Sequence, residues 1–288
     1  MELEVYLKER RELVEAALEA RLPSVDERPQ TLHRAMRHSI FAGGKRLRPI
    51  LCLAAAEACG AQPEAALDLG VALECLHTYT LIHDDLPCMD DDDFRRGHPT
   101  CHKVFGDGIA VLAGDALQAL AFEICGEQNG GGVYAKELAV TSGSRHLVGG
   151  QVLDLEGESK RLTLEELRFV HLSKTAALLT TSVRFGGMAA GASEVQLEAL
   201  TKFGQAAGLA FQVIDDILDV TQTSEKLGKS AGKDVDSEKS TYPALLGLDA
   251  SRQEAHRLTQ EALAALEIFG ASGAALRALG NYLLERDY

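Results

Sequence analysis

A basic excess, a long uncharged apolar run and a paired-cysteine motif are all missing from this chain of 288 residues, and each absence excludes something. Asp and Glu number 43 against 29 Lys and Arg, so the formal net charge is −14. Nonspecific nucleic-acid binding needs a basic field, so no nucleic-acid partner is expected. No run of 18 or more uncharged apolar residues occurs, so no stable membrane insertion is expected. The opening MELEVYLKERREL has no apolar core of the signal-peptide kind, and its acids argue against a transit peptide. The cysteines Cys52, Cys59, Cys75, Cys88, Cys101 and Cys125 form no CxxC pair, and most lie among apolar residues. Buried reduced thiols in a cytoplasmic protein are the expectation. Alternating β-branched runs and internal repeats are lacking too, which disfavours sheets and solenoids.

What remains is helix. Apolar residues make up 46% of the chain and charged residues 25%, an ordinary globular balance. Apolar positions spaced three and four apart, rich in Ala, Leu and Glu, predict helices over about 31–42, 50–60, 64–84, 108–126, 133–156, 164–190, 194–221, 240–247, 251–268 and 273–286. Proline mostly marks their edges, and the segment Gly126–Gly132 reads as a surface turn. Length alone suggests about two domains. No long linker divides the chain, so one all-α bundle over residues 1–288 is the preferred expectation.

Two aspartate clusters interrupt this apolar pattern. In HDDLPCMDDDD, six aspartates fall within ten residues, directly after the apolar stretch Val71–Ile82. No Lys or Arg is interleaved, so a cation or water must compensate the repulsion. A solvated acidic loop is the ordinary reading of such a run. Its position at the end of an apolar helix argues for a metal site at Asp84, Asp85 and Asp90 instead. Pro87 should end the helix and let Asp90 swing back. In FQVIDDILD, Asp215 and Asp219 are four apart and share one helical face with Gln212. Three aspartates (Asp215, Asp216, Asp219) in an apolar helix are costly unless something binds them. Carboxylate oxygens suit a hard divalent ion, and Mg²⁺ takes one or two of them along with phosphate oxygens.

Cations gather nearby in sequence. GGKRLRP places Lys45, Arg46 and Arg48 beside Gly43 and Gly44, which allow close backbone approach. Arg95 and Arg96 follow the acidic loop, and salt bridges to Asp90–Asp93 are the plain reading for them. Lys174, Lys229, Lys233 and Lys239 add positive charge in the second half. Arginine forks suit diphosphate. Metal-binding acids with basic clusters point to phosphorylated substrates.

These residues closely resemble the short-chain trans-prenyl diphosphate synthases of the farnesyl and geranylgeranyl type. The carriers run from Gly43 to about Leu246: GGKRLRP, LHTYTLIHDDLPCMDDDDFRRG, GGQVLDLEGE, Lys174-Thr175, FQVIDDILD and GKDVDSEKSTYP. The resemblance implies an all-α homodimer of the isoprenoid synthase type, its helices around a central cavity. It implies two Mg²⁺ on Asp84, Asp85 and Asp90 and a third on Asp215, Asp216 and Asp219, with Mn²⁺ as an alternative metal. Allylic diphosphate would meet Arg95, Lys174, Lys229 and Lys239. Isopentenyl diphosphate would meet Gly44, Lys45, Arg48, His77 and Arg96. Thr175 and Gln212 would face the allylic carbocation, and Gln151 and Asp154 the cavity. Ala176 stands where many bacterial members have glycine.

Product length follows from helix arithmetic. Thr80 and Tyr79 lie four and five residues before Asp84, roughly 6 to 7.5 Å below the metal site. A tyrosine ring there should stop the chain at farnesyl diphosphate, with geranylgeranyl diphosphate as the alternative. Three other readings compete. A terpene cyclase would not need GGKRLRP. A noncatalytic partner subunit of a prenyltransferase usually lacks one aspartate motif. An acidic helical scaffold would show no EDTA-sensitive turnover.

Overall fold

Good helix formers fill long stretches of this chain, and the computed structural model, which describes residues 2–157, 160–221 and 240–284, is helical accordingly. The all-α expectation holds, with one two-residue hairpin, Phe94–Arg95 against His98–Pro99, that periodicity did not signal. The chain divides into two compact units. One is Met1–Leu53 with Pro63–Ala135, and the other is Ala54–Gln62 with Lys136–Tyr288.

In the first unit, α1 (Leu3–Arg21), α2 (Gln30–Ile40) and α6 (Asp107–Glu127) pack against α4 (Leu67–Asp84), and the short α5 (Cys101–Phe105) lies against α2 and α6. Helix α4 is apolar on every face and buried along most of its length, from Leu69 to Ile82. Its one interior acid, Glu74, pairs with Arg46 at 2.8 Å. Arg46 is only 2% exposed, and it also binds Glu15 at 2.7 Å and the Ile40 carbonyl at 2.6 Å. This arginine of the GGKRLRP segment therefore holds the fold together. Removing one member of such a buried pair costs about 3–5 kcal/mol.

In the second unit, α11 (Glu194–Thr221) forms the centre, packed on α10 (Ala177–Ala189) and on the helix Leu248–Ala265. A capping box of Thr163 and Glu166 starts α9 (Leu164–His171). Two expected helices are broken. The stretch 133–156 divides into α7 (Gly131–Ser142) and α8 (Leu147–Gly157), because Ser-Gly-Ser at 142–144 favours a turn. The stretch 164–190 is interrupted by one π-helical turn, Leu172–Ala176, between α9 and α10. Single π turns of this kind often mark functional positions.

Two segments, Pro63–Asp84 and Asp107–Glu127, are long and apolar enough to cross a membrane by length and composition. Neither segment meets the uncharged-run criterion, because Asp68 and Glu74 interrupt the first and Asp115 and Glu123 the second. In the first segment, 67% of the qualifying window is buried inside the protein; in the second, 39%. All six cysteines are free thiols; Cys52, Cys75, Cys101 and Cys125 are buried as expected, Cys59 is half-buried, and Cys88 is exposed. Burial pushes the Cys75 and Cys125 thiols up to about 12 and Cys101 to about 11, so they are poor nucleophiles.

Candidate active site

Helix α4 ends at Asp84, and the chain then turns back on it. The Asp90 amide donates to the Asp84 carbonyl at 2.8 Å, and the Met89 and Asp91 amides donate to Leu86. Pro87 cannot continue the helix, and the freed carbonyls are satisfied by this turn. Asp90 is thereby brought back to the end of α4, as expected from the break at Pro87. A helix C-terminus carries partial negative charge, which makes Asp84 and Asp85 unfavourable there without a cation. Arg95 supplies one for Asp85. Its Nε lies 2.8 Å from both carboxylate oxygens, and its Nη2 is 2.5 Å from Oδ1. Asp85 is buried, and desolvation raises its carboxyl above the usual range despite Arg95. The plain reading of Arg95 as a salt bridge was right in kind, but the partner is Asp85 rather than Asp90–Asp93. Lys103 is the partner of Asp93, at 2.6 Å.

The same unit holds a cationic cluster. Arg48 Nη1 lies 3.1 Å from His77 Nε2. Burial and the neighbouring Arg96 push the Arg48 guanidinium down to about 10, and its Nε is buried without a hydrogen-bond partner. Burial, Arg48 and Arg96 hold His77 well below 6.5, so it stays neutral and accepts from Arg48. Arg96 donates to the Gly43 carbonyl. A Cβ on Gly44, whose φ is +138°, would overlap that guanidinium. The glycine pair thus admits an arginine against the backbone, as the sequence suggested. Lys45 is exposed. Among the described residues neither Arg48 nor Arg96 forms a salt bridge, because Glu74 is committed to Arg46 and Asp85 to Arg95. An anion is what this cluster lacks.

Tyr79 is 8% exposed, with its ring edge-on to His83 at 5.0 Å. His83 Nε2 in turn lies 3.0 Å from the Val111 carbonyl of α6. Thr80 is half-buried, and its hydroxyl donates to the His77 carbonyl at 2.7 Å. Tyr79 therefore packs on a histidine that ties α4 to α6.

In the second unit, the π turn carries Lys174 and Thr175. Lys174 Nζ donates to Asp154 Oδ2 at 2.7 Å. Close packing sets this turn in place. A Cβ on Gly150 would lie 2.7 Å from the Lys174 amide nitrogen, and one on Gly208 would lie 2.5 Å from Ala176 Cα. Glycine at both positions lets α8 and α11 press on the turn. Lys174, Asp154, Gln212, Asp215 and Asp216 line one cavity of about 210 Å³. Thr175 and Asp219 are not among its lining residues.

Asp216 Oδ2 lies 3.3 Å from His171 Nε2 and accepts from the Tyr242 amide at 2.9 Å. The His171 and Tyr242 rings stack at 5.7 Å. Neither residue was found from the sequence. His171 would have needed the π turn to be foreseen, and Tyr242 lies 26 residues from Asp216. Asp219 is 5% exposed, and its Oδ2 is buried with no hydrogen-bond partner. Lys229, Lys233 and Lys239 lie outside the described residues.

An orphaned carboxylate oxygen on Asp219, in a donor set made wholly of oxygen, fits a hard divalent cation in the second unit, and the carboxylates of Asp84, Asp85 and Asp90 offer the same donor chemistry in the first. The expected ligands do not yet converge. Asp84, Asp85 and Asp90 form no group with ligand atoms within 4.8 Å, because Asp85 is turned to Arg95; among the described residues Asp91, Asp93 and His102 form such a group.

The family model for polyprenyl synthetase matches residues 29–267. The chain is 47% identical over 294 residues to the chloroplastic heterodimeric geranylgeranyl pyrophosphate synthase large subunit 1 of Arabidopsis thaliana, covering 98% of this chain and 79% of that protein. It is likewise 47% identical to a dimethylallyltranstransferase of Fischerella ambigua, covering 98% and 83%. Among solved structures, an apo FPP/GFPP synthase from Zymomonas mobilis matches with a TM-score of 0.87 and 36% identity over 98% of each chain. A geranyltransferase from Helicobacter pylori, complexed with magnesium and isoprenyl diphosphate, matches with a TM-score of 0.84 and 35% identity, covering 99% of this chain and 97% of that one.

Proposed function

We propose that this chain, which belongs to the polyprenyl synthetase family and elongates prenyl diphosphates head to tail, stops elongation at farnesyl diphosphate. The observation that carries the product is Tyr79. It sits five residues before Asp84 on α4, buried and edge-on to His83, which is itself tied to the Val111 carbonyl, so its ring cannot swing aside cheaply. A chain growing down α4 meets it within the first turns. The second reading is geranylgeranyl diphosphate, favoured by relatives that bear that name.

In this reading Asp84, Asp85 and Asp90 hold two magnesium ions, and Asp215, Asp216 and Asp219 hold a third, with Mn²⁺ able to substitute. When bound, the metal neutralises charge that develops on the departing diphosphate. Arg95, Lys174, Lys229 and Lys239 hold that allylic diphosphate by charge. Gly44, Lys45, Arg48, His77 and Arg96 bind the second substrate, isopentenyl diphosphate. The unneutralised Arg48–Arg96 cluster supports this assignment. The allylic C–O bond breaks with its electron pair going to oxygen, and the hydroxyl of Thr175 and the amide of Gln212 face the cation left behind. The isopentenyl double bond attacks that cation, and a proton is lost to the released diphosphate. Positioning supplies much of the rate. The working form is one domain over residues 1–288, a cytoplasmic homodimer. The competing assembly is with a second kind of subunit, as the name of the Arabidopsis thaliana relative describes.

The test is incubation of the protein with dimethylallyl and isopentenyl diphosphates and Mg²⁺, followed by mass spectrometry. Farnesyl diphosphate is the expected end product, and Tyr79→Ala shifts it to longer chains. An unchanged product from Tyr79→Ala removes Tyr79 as the stop. Sedimentation of the purified chain distinguishes a homodimer from a monomer awaiting a partner.

A further inference from the structure

The hairpin that follows the acidic loop brings Asp91 and Asp93 to His102. The Thr100 amide donates to the Asp93 carbonyl at 3.0 Å, which closes the hairpin two residues before His102. One ligand atom from each of Asp91, Asp93 and His102 lies within 4.8 Å of the others. Both aspartates are exposed, whereas His102 is 5% exposed. Its Nδ1 lies 3.2 Å from Thr100 Oγ1, and that hydroxyl spends its single proton on the Asp92 carbonyl at 2.8 Å. The hydroxyl can then only accept from the ring, so Nδ1 keeps its hydrogen and Nε2 carries the lone pair. Nε2 is buried and has no hydrogen-bond partner. A buried basic nitrogen left unpaired costs about 1–3 kcal/mol. A histidine whose other N–H is fixed by a hydrogen bond is in the state that metal ligation requires.

We propose that Asp91, Asp93 and His102 form a binding site for a borderline divalent ion such as Zn²⁺, sharing no residue with the aspartates assigned to magnesium. One imidazole with two carboxylates suits such an ion better than Mg²⁺, which prefers oxygen alone. Ligands on a tetrahedral ion at about 2.0–2.1 Å stand about 3.3 Å apart. The exposed aspartates can close that distance by rotation. Lys103, bound to Asp93 at 2.6 Å, is the competing cation and is exposed enough to leave. A bound ion ties the acidic loop to the start of α5 and braces the hairpin that carries Arg95 and Arg96.

The test is titration of the untagged full chain with Zn²⁺, followed by calorimetry, in millimolar Mg²⁺ that occupies hard-ion sites. One equivalent should bind. The double variant Asp91→Asn with Asp93→Asn should weaken it at least tenfold, and Thr100→Val by roughly tenfold through loss of the ring's anchor. Lys103→Gln should tighten it, and Cys88→Ser should leave it unchanged. Because both aspartates are exposed, the double variant should keep its wild-type circular dichroism. No bound equivalent, or affinity within twofold of wild type in the double variant, overturns the site. Loss of binding in Cys88→Ser alone assigns the zinc to the thiol and overturns it equally.

Discussion

Asp84-Asp85 in the first unit and Asp215-Asp216 in the second are the same dipeptide near the C-terminal end of a helix, but their second members are held by different physics. Asp85 is compensated by charge, through three short contacts with Arg95. Asp216 is held by a backbone amide and an imidazole. In each pair the second carboxylate is committed to the protein. Arg95 links the end of α4 to the hairpin, and Tyr242 links α11 to the start of the helix Tyr242–Leu246. A pair that reads as a metal motif is therefore also a brace. The compensating group decides how the brace fails. A guanidinium that loses its carboxylate stays charged and desolvated, whereas an amide that loses a charged acceptor can bond a neutral one.

The largest effect tests the first members. Asp84→Ala and Asp215→Ala should each lower turnover at saturating Mg²⁺ by about 10²–10³-fold or more while the variants remain folded. A rate near wild type in either variant breaks the parallel between the pairs. Next come the second members. Asp85→Asn should cost roughly 1–3 kcal/mol of stability in urea unfolding, since Arg95 loses its counter-charge. Asp216→Asn should cost about 1 kcal/mol or less, since its amide oxygen still accepts from Tyr242. The reverse order would show that the charge is not what distinguishes them.

The most gradual effect concerns pH and compares the cationic cluster of the first unit with the rest of the chain. His77 is held well below 6.5, so as pH falls through 6.5 the unfolded chain takes up a proton that the folded chain refuses. Stability is then lost toward acid, with a slope of at most one proton, about 1.4 kcal/mol per pH unit. His77→Gln should flatten the melting temperature between pH 5 and 7 relative to wild type. Added diphosphate should flatten it in wild type as well, because an anion beside Arg48 lets the imidazole charge.

Several features of the site were legible before any coordinates. Proline at position 87 implied the turn that returns Asp90 to Asp84, and a hydrogen bond of 2.8 Å makes it. Two glycines beside a basic run implied a close backbone approach, and Arg96 makes it on Gly43 and Gly44. The π turn under Lys174 was not legible. It depends on Gly150 and Gly208 pressing from other helices, and helix propensity alone favours an unbroken helix there. The commitment of Asp85 to Arg95 was missed because adjacent acids compete for one guanidinium, and burial chose among them.

Spacing, composition and charge by themselves determined that this chain is helical, that its carboxylates need cations and that its arginines need anions. Those conclusions follow from periodicity and Coulomb repulsion, which act between near neighbours in the chain. Tertiary structure decided which carboxylate receives which partner: Arg95 for Asp85, the Tyr242 amide for Asp216, and no hydrogen bond at all for one oxygen of Asp219. Desolvation and hydrogen-bond geometry make that choice, and both depend on residues that only folding brings together.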